Sequence, residues 1–89
     1  MYEVKLTGRA HREFDKLSST EQNRIVNVLD RLSVDPRPSG IRKIYGNIYR
    51  VRTGNWRVIY AVFDKDRLVL VGRIIRRSED TYDRVKDLF

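Results

Sequence analysis

The 89 residues are enough for one domain and too few for two, and 40% hydrophobic with 35% charged residues describes a soluble globular chain with a thin core. No apolar run approaches the roughly 20 residues a membrane-spanning helix needs, and no basic-then-apolar signal pattern opens the chain, so a cytoplasmic protein is expected. The lack of cysteine and the single histidine argue against disulfides, thiolate chemistry and a transition-metal site, which leaves the net charge of +7 as the informative quantity.

Residues 2–6 alternate apolar and polar with period two, which predicts a short strand. Thr7 can cap a first helix whose apolar positions Ala10, Phe14 and Leu17 stack on one face. Ser18-Ser19-Thr20-Glu21 matches a capping box, in which the Ser18 hydroxyl and the Glu21 carboxylate answer each other's exposed amides. The second helix carries Ile25, Val28, Leu29 and Leu32 at helical spacing until Pro36, Pro38 and Gly40 stop it. His11, the only histidine, falls beside Ala10 and is expected at the surface.

The period then changes. Residues 48–53, 56–63 and 67–75 are β-branched and aromatic runs separated by Gly54-Asn55 and Asp64-Lys65-Asp66, both good hairpin turns. They predict a three-stranded antiparallel meander whose middle strand is apolar on both faces, with Arg57 its exception. Trp56 and Tyr60 fit core packing, while Tyr45, in the loop ahead of the meander, is the aromatic available for stacking on a base. Ser78 can cap a last helix, with Glu79 and Asp80 in its positive first turn. The expected fold is α+β: a small antiparallel sheet of the N-terminal strand plus the meander, a helical hairpin packed on it, and a short C-terminal helix.

The charge is local. Residues 42–77 hold ten Lys/Arg, eight of them arginine, against Asp64 and Asp66, so this segment carries +8 and the rest of the chain −1. Charge kept for solubility alone is interspersed in sign, as in the N-terminal half. The basic segment instead predicts a polyanion-binding surface, and arginine favours forked contacts to phosphate oxygens. Strand alternation sends Arg50 and Arg52 together out of the sheet. Strand direction draws Arg52, Arg57 and Arg76 to one sheet edge, with Arg50 one pleat further in and Tyr82 beside them. Lys43 and Arg77 are further candidates for phosphate contact.

The pattern Tyr49-Arg50-Val51-Arg52, then Trp56-Arg57-Val58-Ile59-Tyr60, then Ile74-Ile75-Arg76-Arg77 ending at Tyr82 resembles the RelE/ParE superfamily of bacterial and archaeal toxins. The likeness spans nearly the whole chain, since the helical hairpin with its proline-containing exit also fits. RelE-type members cleave mRNA in the ribosomal A site and are silenced by a cognate antitoxin. By that resemblance Arg57 matches the arginine that contacts the scissile phosphate and Arg76 the one that stabilises the transition state. Tyr82 matches the tyrosine proposed as base or as the group that orients the attacking 2′-hydroxyl.

Arg50 and Arg52 stand where such toxins often carry lysines. Arginine is effectively always charged and cannot serve as a base, so a protein-borne base has to be Tyr82. The implied activity is metal-independent endoribonuclease chemistry, with antitoxin, mRNA and ribosome as partners and no cofactor. Two rivals remain: the ParE branch, which inhibits DNA gyrase and cleaves nothing, and a non-enzymatic basic module held to nucleic acid by counterion release.

Overall fold

In a computed structural model that describes residues 1–77, the chain runs β1 (Glu3–Leu6), α1 (Gly8–Asp15), α2 (Ser19–Val34), β2 (Arg42–Tyr45), β3 (Ile48–Thr53), β4 (Trp56–Phe63) and β5 (Leu68–Arg76). The five strands form one sheet in the order β1-β5-β4-β3-β2, and the class is α+β as expected. The last helix predicted from Ser78 falls outside the described residues. No helix among those described is long and apolar enough to cross a membrane.

The local signals account for most of the boundaries. The Thr7 hydroxyl accepts from the Ala10 amide at 3.2 Å and donates to the Gly72 carbonyl at 3.1 Å, so one side chain caps α1 and ties it to β5. The capping box at Ser18 and Glu21 closes with bonds of 3.2 and 3.1 Å. Ile25, Val28 and Leu32 of α2 are buried with Ala10 of α1 against the sheet face that carries Val58, Tyr60 and Val71. Burying each of these isoleucine, valine and leucine side chains stabilises the fold by roughly 1.5–3 kcal/mol.

The sheet differs from expectation in two ways. It is mixed, because β1 pairs parallel with β5, Val4 opposite Val69, while the other neighbours are antiparallel. It also gains a fifth strand: Arg42-Lys-Ile-Tyr45 lacks a clean alternation, yet pairs with β3 through a hairpin whose Gly46 takes φ +54. Tyr45 therefore sits on an edge strand rather than in a loop.

A polar strap closes the far end of the sheet. Tyr60 stacks on Tyr49 with ring centroids 5.8 Å apart and donates its hydroxyl to the Pro36 carbonyl at 2.8 Å. Arg37 forks onto Asp64 at 2.7 and 3.2 Å and donates to the Tyr49 hydroxyl at 3.0 Å. Tyr2 completes the strap with a 2.6 Å bond to Asp64. The forked guanidinium first, and the Tyr2 hydroxyl second, hold the Asp64 carboxyl below its usual range.

Candidate nucleic-acid interface

The tight turn between β3 and β4 defines the basic end of the sheet. Gly54 adopts φ +58 there, and the Arg77 amide donates to the Asn55 carbonyl at 2.8 Å, fastening the end of β5 to that turn. Arg52 lies directly opposite Arg57 across β3 and β4. Arg76 lies directly opposite Trp56 across β4 and β5. Arg52, Arg57, Arg76 and Arg77 are thus gathered at one end, as strand direction requires.

They do not share a face. Near the β4–β5 turn the register runs Phe63 with Leu68 and Tyr60 with Val71, but beyond Gly72 it becomes Ile59 with Arg73 and Trp56 with Arg76. One extra residue has entered β5, and a one-residue slip exchanges the faces of everything that follows. Uninterrupted alternation would have put Arg76 on the face of Arg57. The bulge instead puts it with Trp56, on the face that packs against the helices. Gly72 within a β-branched run was the available sequence signal.

Arg50 and Arg52 share the Arg57 face, away from the helices, as expected, but Arg50 is 9% and Arg57 4% exposed, so only Arg52 of the expected pair reaches solvent. The reason is that this second face is not bare: Ile59 and Ile75 are buried on it, with Ile44 and Ile48 packed against them. Arg73 leaves the cationic surface altogether, because Glu13 of α1 accepts from its guanidinium at 2.9 Å and from the Ile74 amide at 2.9 Å.

Lys43 is exposed but lies in the row of Tyr49 and Tyr60, on the other face from Arg50. Arg77 is exposed beside the turn. Tyr82 lies outside the described residues. Of the residues singled out from sequence, His11 is exposed and bonded to Asp15 at 3.1 Å, and Tyr45 is exposed.

On the helix side the site is built by three side chains. The Trp56 indole donates to Glu21 at 2.8 Å, and the Arg76 guanidinium carbon stands over the indole, 5.0 Å from its centroid. The Ser18 amide, then the indole N–H and the charge of Arg76, hold the Glu21 carboxyl below its usual range. A cavity of about 300 Å³ opens beside them, lined among others by Glu13, Lys16, Leu17 and Arg76. A cation that sequence reading missed also stands here: a Cβ built on Gly54 would fall 2.7 Å from the Arg24 guanidinium, so α2 lays Arg24 against the β3–β4 turn. Nothing in the sequence around Arg24 links it to that turn.

Residues 4–81 match the family described as the ParE toxin of type II toxin–antitoxin system, parDE, and the chain belongs to that family of toxins. Its similarities within the RelE/ParE superfamily are of RelE type. It is 27% identical over 82 residues to a curated RelE1 toxin homologue of Methanocaldococcus jannaschii, covering 86% of this chain and 91% of that one. The archaeal RelE–RelB complex of Pyrococcus horikoshii OT3 contains a chain of the same fold, with a TM-score of 0.81 and 27% identity, over 89% of this chain and 98% of that one. The isolated E. coli RelE toxin shares the fold at a TM-score of 0.78 and 23% identity, over 85% and 84%.

Proposed function

We propose that this toxin is a metal-independent endoribonuclease that cleaves mRNA, acting in the cytoplasm on the ribosome and silenced by a cognate antitoxin. The observation that carries the reading is the collection of Arg52, Arg57 and Arg76 at one end of the sheet, beside the Gly54 turn. The RelE relatives support it, and the solved RelE–RelB complex of Pyrococcus horikoshii OT3 supports an antitoxin partner.

In the proposed reaction the 2′-oxygen of the mRNA attacks the adjacent phosphorus and the bond to the 5′-oxygen breaks. A 2′,3′-cyclic phosphate and a 5′-hydroxyl result. The proton of the 2′-hydroxyl passes to a base, and the leaving 5′-oxygen takes up a proton. Charge builds on the non-bridging oxygens in the transition state, and forked guanidinium donors from Arg57 and Arg76 stabilise it. Arg52 and Arg50 neutralise the flanking backbone, with Lys43 and Arg77 as outlying contacts. Tyr82 is the candidate base or orienting group.

A phosphate seated over the end of the sheet meets Arg76 from one face and Arg57 from the other. Arg57 and Arg50 are only 4% and 9% exposed, so the surface over them has to open as RNA binds.

Mapping mRNA ends in a translation reaction with and without the protein tests this reading. New 5′ ends within translated codons are the expected result. A DNA-damage response without new ends would favour the gyrase-inhibiting branch, a reading encouraged by the ParE name of the matching family and by the opposite faces of Arg57 and Arg76.

A further inference from the structure

The site in which Arg76 stands is more elaborate than an exposed cation needs. The bulge at Gly72 places Arg76 directly opposite Trp56, the only tryptophan of the chain. The indole is 9% exposed and belongs to the core cluster, so its ring cannot swing freely. Its one polar atom is held by Glu21 at 2.8 Å, and Glu21 is itself held by the Ser18 amide in the capping box at the start of α2. The guanidinium therefore rests on a platform fixed from two directions, by the sheet register and by a helix N-terminus.

A cation over the face of an indole is attracted to the ring's negative face, and tryptophan is the best of the aromatic partners. The contact uses the flat side of the guanidinium, whereas its N–H donors radiate from the edge. Holding Arg76 on Trp56 thus leaves its forked edge open to phosphate oxygens while removing much of the freedom of a long side chain. The Glu21 carboxylate accepts from the Ser18 amide and the indole, and its attraction to Arg76 helps to keep the guanidinium over the ring until a phosphate engages the donors. The adjoining cavity of about 300 Å³, lined by Lys16 and Arg76 and by the carboxylates Glu13 and Glu21, each already bonded to other groups, gives a sugar–phosphate unit room to approach.

We infer that Trp56, anchored by Glu21, is a positioning residue that presents Arg76 to an RNA phosphate. The inference rests on the proposed RNA reading for its ligand, but not on cleavage. An RNA phosphate engaged by Arg76 draws charge away from the indole face, and the single tryptophan reports this directly.

The test is a titration of the full chain with a short 2′-O-methyl RNA oligonucleotide, which offers phosphates but no 2′-hydroxyl to attack. Trp56 emission is expected to change on titration in the wild type and to stay constant in Arg76→Gln. A coupling measurement accompanies it. Trp56→Leu is expected to weaken oligonucleotide affinity roughly 3- to 30-fold, the range that corresponds to a cation–π contact. It should cost nothing more when added to Arg76→Gln. Trp56→Phe, which keeps a ring, should lose less, and it serves for the coupling if the leucine variant does not fold. Glu21→Gln keeps one acceptor oxygen, enough for either the Ser18 amide or the indole but not both, and should lose less than Glu21→Ala, which keeps neither.

Unchanged emission at the highest oligonucleotide concentration overturns the inference. So does a Trp56 substitution whose cost is the same with and without Arg76, because that is the behaviour of packing alone. Emission and coupling as expected, without mRNA cleavage, would leave this inference standing and remove the nuclease reading.

Discussion

Arg57 and Arg76 stand at the same end of the sheet and on opposite faces of it, Arg57 in the row of Arg52 and Ile75, Arg76 in the row of Trp56. Their surroundings differ as much as their directions, since Arg57 is 4% exposed and Arg76 is open to solvent. The two arginines therefore do not substitute for one another.

Their alanine variants are expected to part company. Arg76→Ala should lower mRNA cleavage by on the order of 10²–10³, the usual cost of removing one donor from a developing oxyanion. It should abolish growth inhibition while leaving antitoxin binding and the melting temperature close to wild type. Arg57→Ala should lose cleavage and also melt earlier, because a buried side chain is removed from the second face. Cleavage assays paired with thermal melts read both. Retained ribosome-dependent cleavage in Arg76→Ala would falsify the assignment of that residue.

Thr7 joins two parts of the fold through one hydroxyl, capping α1 and donating to the carbonyl of Gly72 at the bulge. Thr7→Ala should destabilise the chain by about 1 kcal/mol from the lost cap alone, a fall in melting temperature of roughly 4–8 °C for a domain of this size. Thr7→Ser keeps the oxygen and should recover most of it. Equal melting temperatures for the alanine and serine variants would show that neither bond contributes.

Much of this architecture was legible because its signals are local. The strands at residues 48–53 and 56–63 end where Gly54-Asn55 ends them, and Ser18 with Glu21 marks the start of α2 within a residue. What escaped was non-local. The parallel partner of β1 lies more than sixty residues away, and β2 is too short and too lacking in alternation to announce itself. Within the candidate site, the face taken by Arg76 was not legible: a bulge at Gly72 reverses the parity of β5, and a single glycine in a β run does not say which way the register slips. The apolar second face of β4 was legible, but the burial of Arg50 was not, since it also depends on Ile75, brought to that face by the bulge, and on Ile44 and Ile48 packed against it.

The strap at the far end should make stability fall in acid. Bonds from Arg37 and Tyr2 depress the Asp64 carboxyl in the folded chain, so the folded state binds this proton less readily than the unfolded state does. The stabilisation is present above the unfolded value near pH 4 and is lost as pH falls through the lower folded value. Thermal melts between pH 7 and pH 2 should show Asp64→Asn less stable than wild type at neutral pH and the gap closing in acid. Added salt should shrink the gap at neutral pH, because the pair is exposed. A gap that stays constant across the range would remove Asp64 as its source.

Salt dependence separates cations that meet phosphate from those that only look available in the sequence. Each phosphate neutralised on a single strand contributes about 0.7 to the slope of log affinity against log salt. Arg52 is exposed opposite Arg57 at the basic end of the sheet, so Arg52→Ala should lower the slope for RNA by about that amount. Arg73 is only three residues from Arg76 in sequence, but its guanidinium is held by Glu13 at 2.9 Å and is largely withdrawn from solvent. Arg73→Gln should therefore weaken the fold without altering the slope. Binding measured by fluorescence anisotropy over a range of salt distinguishes the two, provided that each variant is assayed below its own melting transition. If Arg73→Gln lowers the slope and Arg52→Ala does not, the RNA follows a path other than the end of the sheet at Gly54.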